Sequence, residues 1–158
     1  MIGRDFMQEM RAGEEKAVEA LLNAAFPGPD EARIVRALRK SGEIAGEQVV
    51  REEGQIVGYL ALSRFRAPEG WLCLAPIAVA PDRQGQGIGR RMCRMLVGWA
   101  EAAGQTIVVL GEPEFYSRAG FRMAEGLASP FPIDHTLVAG PARAPQGSRL
   151  RYPRAFGT

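Results

Sequence analysis

The sequence predicts one mixed α/β (α+β) domain built around a single sheet. Three observations point there. The first forty residues carry apolar side chains at helical spacing. Short apolar runs separated by turn signals follow. In mid-chain a buried strand, a glycine-rich turn and a helix occur in succession. A length of 158 residues, 46% apolar and 24% charged, suits a single soluble domain (1–158) with one core.

The elements follow in order. Ala17, Val18, Leu21, Leu22, Ala25 and Phe26 recur at helical spacing and predict a helix over 14–26, stopped by Pro27-Gly28-Pro29. Asp30 is expected to cap a second helix with Ile34, Val35 and Leu38 as its apolar stripe, ending at Ser41-Gly42. Residues 48–51 form a short branched strand, Glu53-Gly54 a turn, and 55–65 a longer strand. Residues 71–79 are almost wholly apolar, as in a central strand covered on both faces. Pro76 cannot donate to a ladder, so a break or bulge is expected near 76–79. A helix over 87–103 places Ile88, Met92, Met95, Leu96 and Trp99 on one face and closes at Gly104. Beyond it come a buried strand at 106–110, a short helix at 114–119 and a further strand after Gly120-Phe121. Strands are expected at 136–139 and 149–152, with a Pro/Gly-rich loop at 139–147.

Composition excludes several classes. A net charge of +2 lacks the clustered basic excess of a nucleic-acid binder. Nearly all the cations are arginine, the better fork for phosphates and carboxylates, although a compositional habit explains most of them. Cys73 and Cys93 sit in apolar stretches and read as reduced, buried thiols. Met1 to Met10 has no apolar core of a signal peptide, and no apolar run is long enough to span a bilayer. The expectation is a cytoplasmic protein with neither membrane nor nucleic-acid partner. No ligand cluster predicts a metal.

The chemistry concentrates in Gln84-Gly85-Gln86-Gly87-Ile88-Gly89, between a strand and a helix. A helix start presents unpaired N–H groups and the positive end of its dipole, and glycines let those amides close on phosphate oxygens. A pyrophosphate is the expected guest. A P-loop would need Gly-Lys followed by Ser or Thr, and no lysine is here. A dinucleotide fingerprint would need a third glycine where Arg90 stands; only Glu112, a possible ribose-binding acid after the next strand, keeps that alternative open. A plain tight turn would not require three alternating glycines.

The loop resembles the Gln/Arg-x-x-Gly-x-Gly/Ala motif of the GCN5-related N-acetyltransferase (GNAT) superfamily. Phe115-Tyr116-Ser117-Arg118-Ala119-Gly120-Phe121 resembles that family's Phe-Tyr-x-x-x-Gly-Phe segment, in the same order and at fitting spacing. More narrowly, residues 74–79, Gly111-Glu112-Pro113 and Arg151-Tyr152-Pro153 with Ala155-Phe156 are similar to the bacterial YhbS-like subgroup. The resemblance covers roughly 14–156.

The resemblance implies a mostly antiparallel sheet whose central strands splay apart, flanked by helices, and acetyl-CoA as cosubstrate. Backbone groups of Ile77, Ala78 and Val79 would pair with pantetheine amides, as an added strand would. The amides of Gln84, Gly85, Gln86, Gly87, Ile88, Gly89 and Arg90 would hold the pyrophosphate, with one or two of Arg83, Arg90, Arg91 and Arg94 reaching an outer phosphate. An amine would attack the thioester directly, with the N–H near Val79 polarising its carbonyl. Tyr116 occupies the position of the family's general acid, and a phenol is protonated near neutral pH. Some members carry a glutamate on the strand that is 71–79 here; this chain has none. Glu112 is the candidate base, Glu69 a poorer one, and many such enzymes work without one. His135, the only histidine, reads as structural, and Cys73 as a buried thiol rather than a nucleophile. Trp71, Phe65 and Phe131 are either acceptor-pocket or core aromatics.

The leading expectation is thus an acyl-CoA-dependent N-acyltransferase acting on a small amine or a peptide N-terminus, with a homodimer as its candidate assembly. A non-catalytic acyl-CoA sensor of the same fold and a nicotinamide-dinucleotide enzyme are the alternatives.

Overall fold

The computed structural model describes residues 5–157. Its elements are β1 (Gln8–Glu9), α1 (Glu15–Ala25), α2 (Asp30–Ser41), β2 (Ile44–Glu52), β3 (Gln55–Arg64), β4 (Leu72–Val79), α3 (Ile88–Ala103), β5 (Ile107–Leu110), α4 (Pro113–Arg118), β6 (Arg122–Met123), β7 (Leu127–Ala128), β8 (Thr136–Ala139) and β9 (Ser148–Arg149). Seven strands form one sheet in the order β1-β2-β3-β4-β5-β8-β6, and β7 and β9 make a small parallel pair. Within the large sheet every pairing is antiparallel except β4 with β5. The mixed α/β class expected from the sequence is what the chain adopts.

Alternation along the strands distributes the core. Leu60, Leu62 and Leu74 point to the face covered by Met92 and Leu96 of α3. Tyr59, Ala61 and Ala78 point to the other face, where Val18, Leu21 and Leu22 of α1 and Val35 of α2 cover them. Farther along, Cys73, Val108 and Val138 pack under Phe65, Trp71, Leu150 and Tyr152. Burying side chains of this size stabilises by about 1.5–3 kcal/mol each before entropy is counted.

Several boundaries differ from the sequence expectation, among them the last strand, expected at 149–152 and found at Ser148–Arg149, and two have a visible physical cause. Asp30 is the first residue of α2 and does not cap it; Pro29 holds the cap position and no side chain caps the helix. The Asp30 carboxylate accepts from Arg33 instead, one turn on. The strand expected at 48–51 begins at Ile44, because β2 pairs with β3 from Ile44↔Ser63 onward through a bulge at Ala45. Its inward Glu47 breaks the apolar pattern, yet is tied to Arg39 and to the Tyr59 hydroxyl.

The N-terminal strand is anchored by Arg51. Its guanidinium donates to Glu14 at 2.7 and 2.9 Å, to the Gln8 side chain at 2.7 Å and to the Glu9 carbonyl at 3.2 Å. The Arg51 hydrogen bond, ahead of the Arg11 amide, holds the Glu14 carboxyl down at about 2. A depressed carboxylate contributes stability above its unfolded pKa of about 4.3, and that contribution fades as pH falls toward 2. Arg51→Met should therefore lower Tm at pH 7 by roughly 2–4 °C, about 1 kcal/mol for a partly exposed pair. Thermal melts from pH 7 to 2 should show that difference shrinking below pH 4; a constant difference would assign it to packing alone.

Candidate active site

The site begins where the central strands part. β4 and β5 pair only at Leu72↔Ile107, Cys73↔Val108 and Leu74↔Val109. On its other edge β4 stays paired with β3, but the register jumps from Leu62↔Leu74 to Leu60↔Ile77. Three steps along β4 thus oppose two along β3, a bulge of one residue holding Ala75 and Pro76. The missing proline N–H therefore interrupts the ladder where it is already broken. Past the bulge, Ile77, Ala78 and Val79 keep β3 as partner and have no strand on the β5 side.

A cleft of about 600 Å³ opens into that gap. Ile77, Ala78, Val79, Gln84, Gly85, Gly87, Ile88, Gly89 and Arg90 line it, as do Arg83, Glu112, Glu114, Phe115 and Arg118. Of the residues expected to hold a cofactor, only Gln86 stands outside this lining. Gly85 and Gly87 have φ of 80° and 84°, left-handed values that side chains resist. Gly87 caps α3, so the cleft faces the helix's first amides. The Gln84 side chain donates to the Val79 carbonyl at 3.0 Å, fastening the loop to the end of β4.

The cations divide. Arg83 and Arg90 face the cleft, Arg83 being tied to Glu52 at 2.6 Å. Arg91 instead lies over the Phe6 ring at 4.0 Å, and Arg94 donates to the Arg118 carbonyl at 3.4 Å. Arg118, paired with Glu114 at 2.9 Å, is a cleft cation the sequence reading did not single out. Its place in a recognised block was signal enough to find it.

Tyr116 and Glu112, expected to work as acid and base, are not brought together. Glu112 lines the cleft with the glycine loop. Tyr116 lines a separate cavity of about 280 Å³, with Phe26, Glu31, Ile34, Leu74, Pro76, Leu110 and Phe156. Ile77 is common to the lining of both. Glu112 holds the cap position of α4 in extended backbone, φ −71° and ψ 114°, so it does not share a helix face with Tyr116, and the two side chains line different spaces. The Tyr116 ring is held edge-on between Phe115 and Phe121, at centroid distances of 5.0 and 5.7 Å. Its hydroxyl forms no hydrogen bond to any described residue. Burial, with a smaller effect of Cys93, pushes its phenol above the ordinary range, so it stays protonated.

The ring also leans on Gly111, where a Cβ would sit 2.5 Å from Cε2 of Tyr116. Gly111→Ala should displace the ring and lower turnover about tenfold, a fraction of what a positioned acid contributes. Acetyl-CoA affinity should stay within twofold of the parent, checked by calorimetry beside initial rates.

Other candidates fall away. Burial pushes both Cys73 and Cys93 up to about 12, so neither is a thiolate near neutral pH. His135 is exposed and sits 3.2 Å from Asp134. Phe65 and Trp71 are buried among core residues, and Phe131 packs edge-to-face with Tyr152, ring centroids 4.8 Å apart. Among the described residues no group of three His, Cys, Asp or Glu could hold a metal, and no helix is long and apolar enough to cross a membrane.

An acetyltransferase (GNAT) domain matches residues 45–123, which run from β2 through the glycine loop and Tyr116 to β6. An uncharacterized N-acetyltransferase of Escherichia coli (strain K12), YhbS, is 35% identical over 112 residues, covering 68% of this chain and 67% of that protein. The chain belongs to the GNAT acetyltransferase family. It is thereby a member of a family of acyl-CoA-dependent enzymes, and the dinucleotide alternative falls. Among solved structures, E. coli YhbS in complex with CoA superposes with a TM-score of 0.86, at 26% identity, over 96% of this chain and 91% of that one. A GNAT acetyltransferase from Brucella melitensis in complex with acetyl-CoA gives 0.79 at 29% identity, over 95% and 96%.

Proposed function

We propose that this protein transfers an acetyl group from acetyl-CoA to a primary amine, on a small molecule or a peptide N-terminus, by direct attack in a ternary complex. The observation that carries the reading is the unpaired Tyr116 hydroxyl in a cavity that shares Ile77 with the glycine-lined cleft. The cleft suits an extended, phosphate-bearing thioester. Amides of the Gln84 to Arg90 loop meet the pyrophosphate, and the open edge of Ile77, Ala78 and Val79 meets the pantetheine arm. Arg83, Arg90 and Arg118 balance the charge.

The thioester carbon then lies near Ile77, between cofactor and acceptor spaces. The amine nitrogen bonds to that carbon, and the carbon–sulfur bond breaks with its electron pair leaving on sulfur. Tyr116 gives the thiolate its proton. Of the two protons an ammonium acceptor sheds, one restores Tyr116 and one goes to solvent. Glu112 is not assigned as base, because it lines the glycine-loop cleft and not the cavity of Tyr116.

Free-thiol release with acetyl-CoA, across a panel of amines and peptides, tests this directly. Release that depends on one class of amine is the expected result. Stabilisation by acetyl-CoA with no thiol release for any acceptor would replace the enzyme by a binding module. No stabilisation at saturating acetyl-CoA would remove both.

A further inference from the structure

We infer that Glu31 is the residue that receives the acceptor's ammonium group, and that the acceptor is a primary amine carried on an apolar body; this rests on the acyl-transfer reading above. Six carboxylates are half-buried among the described residues: Glu14, Glu19, Glu31, Glu43, Glu47 and Glu52. Five are held by the protein itself. Arg51 binds Glu14, Arg36 binds Glu19, the Ser41 hydroxyl binds Glu43, Arg39 and Tyr59 bind Glu47, and Arg83 binds Glu52. Glu31 alone has no hydrogen bond or ion pair with a described residue. A carboxylate that lines a cavity without a counter-charge leaves that cavity suited to a cationic ligand that would supply one.

Its position gives that charge a use. Glu31 lines the same cavity of about 280 Å³ as the free Tyr116 hydroxyl, and no arginine, lysine or histidine lines that space. An ammonium group bound there would stand beside the point where the cleft delivers its thioester. The remaining wall is apolar, with Phe26, Ile34, Leu74, Leu110 and Phe156. Leu110 is 40% exposed, an apolar surface left for a ligand to cover. Ile34, Leu74, Ala75, Leu110 and Phe156 also line an adjoining cavity of about 630 Å³, so the apolar body has room to extend. A first-turn acid also complements the dipole of α2. That role would move stability, whereas amine recognition would move ligand selectivity.

The test compares 2-phenylethylamine, cationic at neutral pH, with its neutral counterpart 2-phenylethanol. Binding of each to the coenzyme A-loaded protein is measured by calorimetry for the parent and for Glu31→Gln. The parent should bind the amine at least about tenfold more tightly than the alcohol, in keeping with a hydrogen bond to a charged group. E31Q should bind the two alike, with coenzyme A affinity as in the parent and Tm lower by no more than about 2–4 °C, the share of the lost dipole interaction. In turnover, E31Q should raise KM for the amine at least tenfold and leave KM for acetyl-CoA unchanged. Equal amine affinity in parent and E31Q overturns the assignment, and so does a parent that prefers the alcohol or binds neither. A parent that fails to bind coenzyme A overturns the acyl-transfer reading first, a result visible before any amine is added.

Discussion

Tyr116→Phe should lower kcat at least about 100-fold while acetyl-CoA affinity stays within twofold of the parent. The substitution removes one oxygen and leaves the ring that Phe115 and Phe121 hold edge-on. Tyr116 does not line the cofactor cleft, so ground-state binding has no reason to change. In the proposed mechanism, what is lost is a donor whose proton reaches sulfur only as the carbon–sulfur bond breaks, and general acids contribute on the order of 10²–10⁴ in rate. The cost depends on the leaving group. Because burial keeps the phenol protonated past its ordinary range, the parent's rate should not fall through the usual phenol titration near pH 10. Steady-state thiol release over pH 6–10, with parallel calorimetry, checks both statements. Unchanged kcat in Y116F would leave the proton to water and remove Tyr116 from the mechanism.

The loop and Tyr116 were readable from the sequence because both are local. Left-handed glycines at a helix start, and an aromatic block at fixed distance, hardly depend on what the rest of the chain does. Pro76 was readable for a similar reason, since the ring cannot serve a ladder and must fall at a break. Non-local pairing was less visible. The first residues of β2 carry no alternation, and only their partners on β3 make them a strand. Asp30 met every local criterion for a cap, but Arg33 competed for its carboxylate. Glu112 and Tyr116, four residues apart, look like a pair on one short helix; the extended backbone of Glu112 ahead of that helix leaves the first in the glycine-lined cleft and the second in the separate cavity. Glu31 carried no signal at all, because an acid in a first helical turn is what the dipole asks for anyway. Only its missing partner, visible in three dimensions, sets it apart.

Gly87→Val should weaken acetyl-CoA binding by more than about 100-fold. Gly89→Ala, two residues on, should change it by less than about threefold. Gly87 sits at φ 84°, where an L side chain costs about 1–2 kcal/mol and a β-branched one more. The valine variant relieves that strain by rotating the peptide units that aim the first amides of α3 into the cleft. Losing two hydrogen bonds to a charged phosphate, at about 1.5–3 kcal/mol each, corresponds to at least 100-fold in affinity. Gly89 differs in both respects. Its φ is not left-handed, and an added Cβ would meet Val79 at 3.5 Å and Phe115 at 3.7 Å, ordinary contact distances. This gives a physical reason for the motif's tolerance of alanine at its last position but not at the glycine before it. Calorimetric titration of both variants with acetyl-CoA decides the matter. Equal losses would mean that space in the cleft, not the direction of its amides, governs binding. A G87V protein that binds like the parent would mean that the loop's amides do not hold the pyrophosphate.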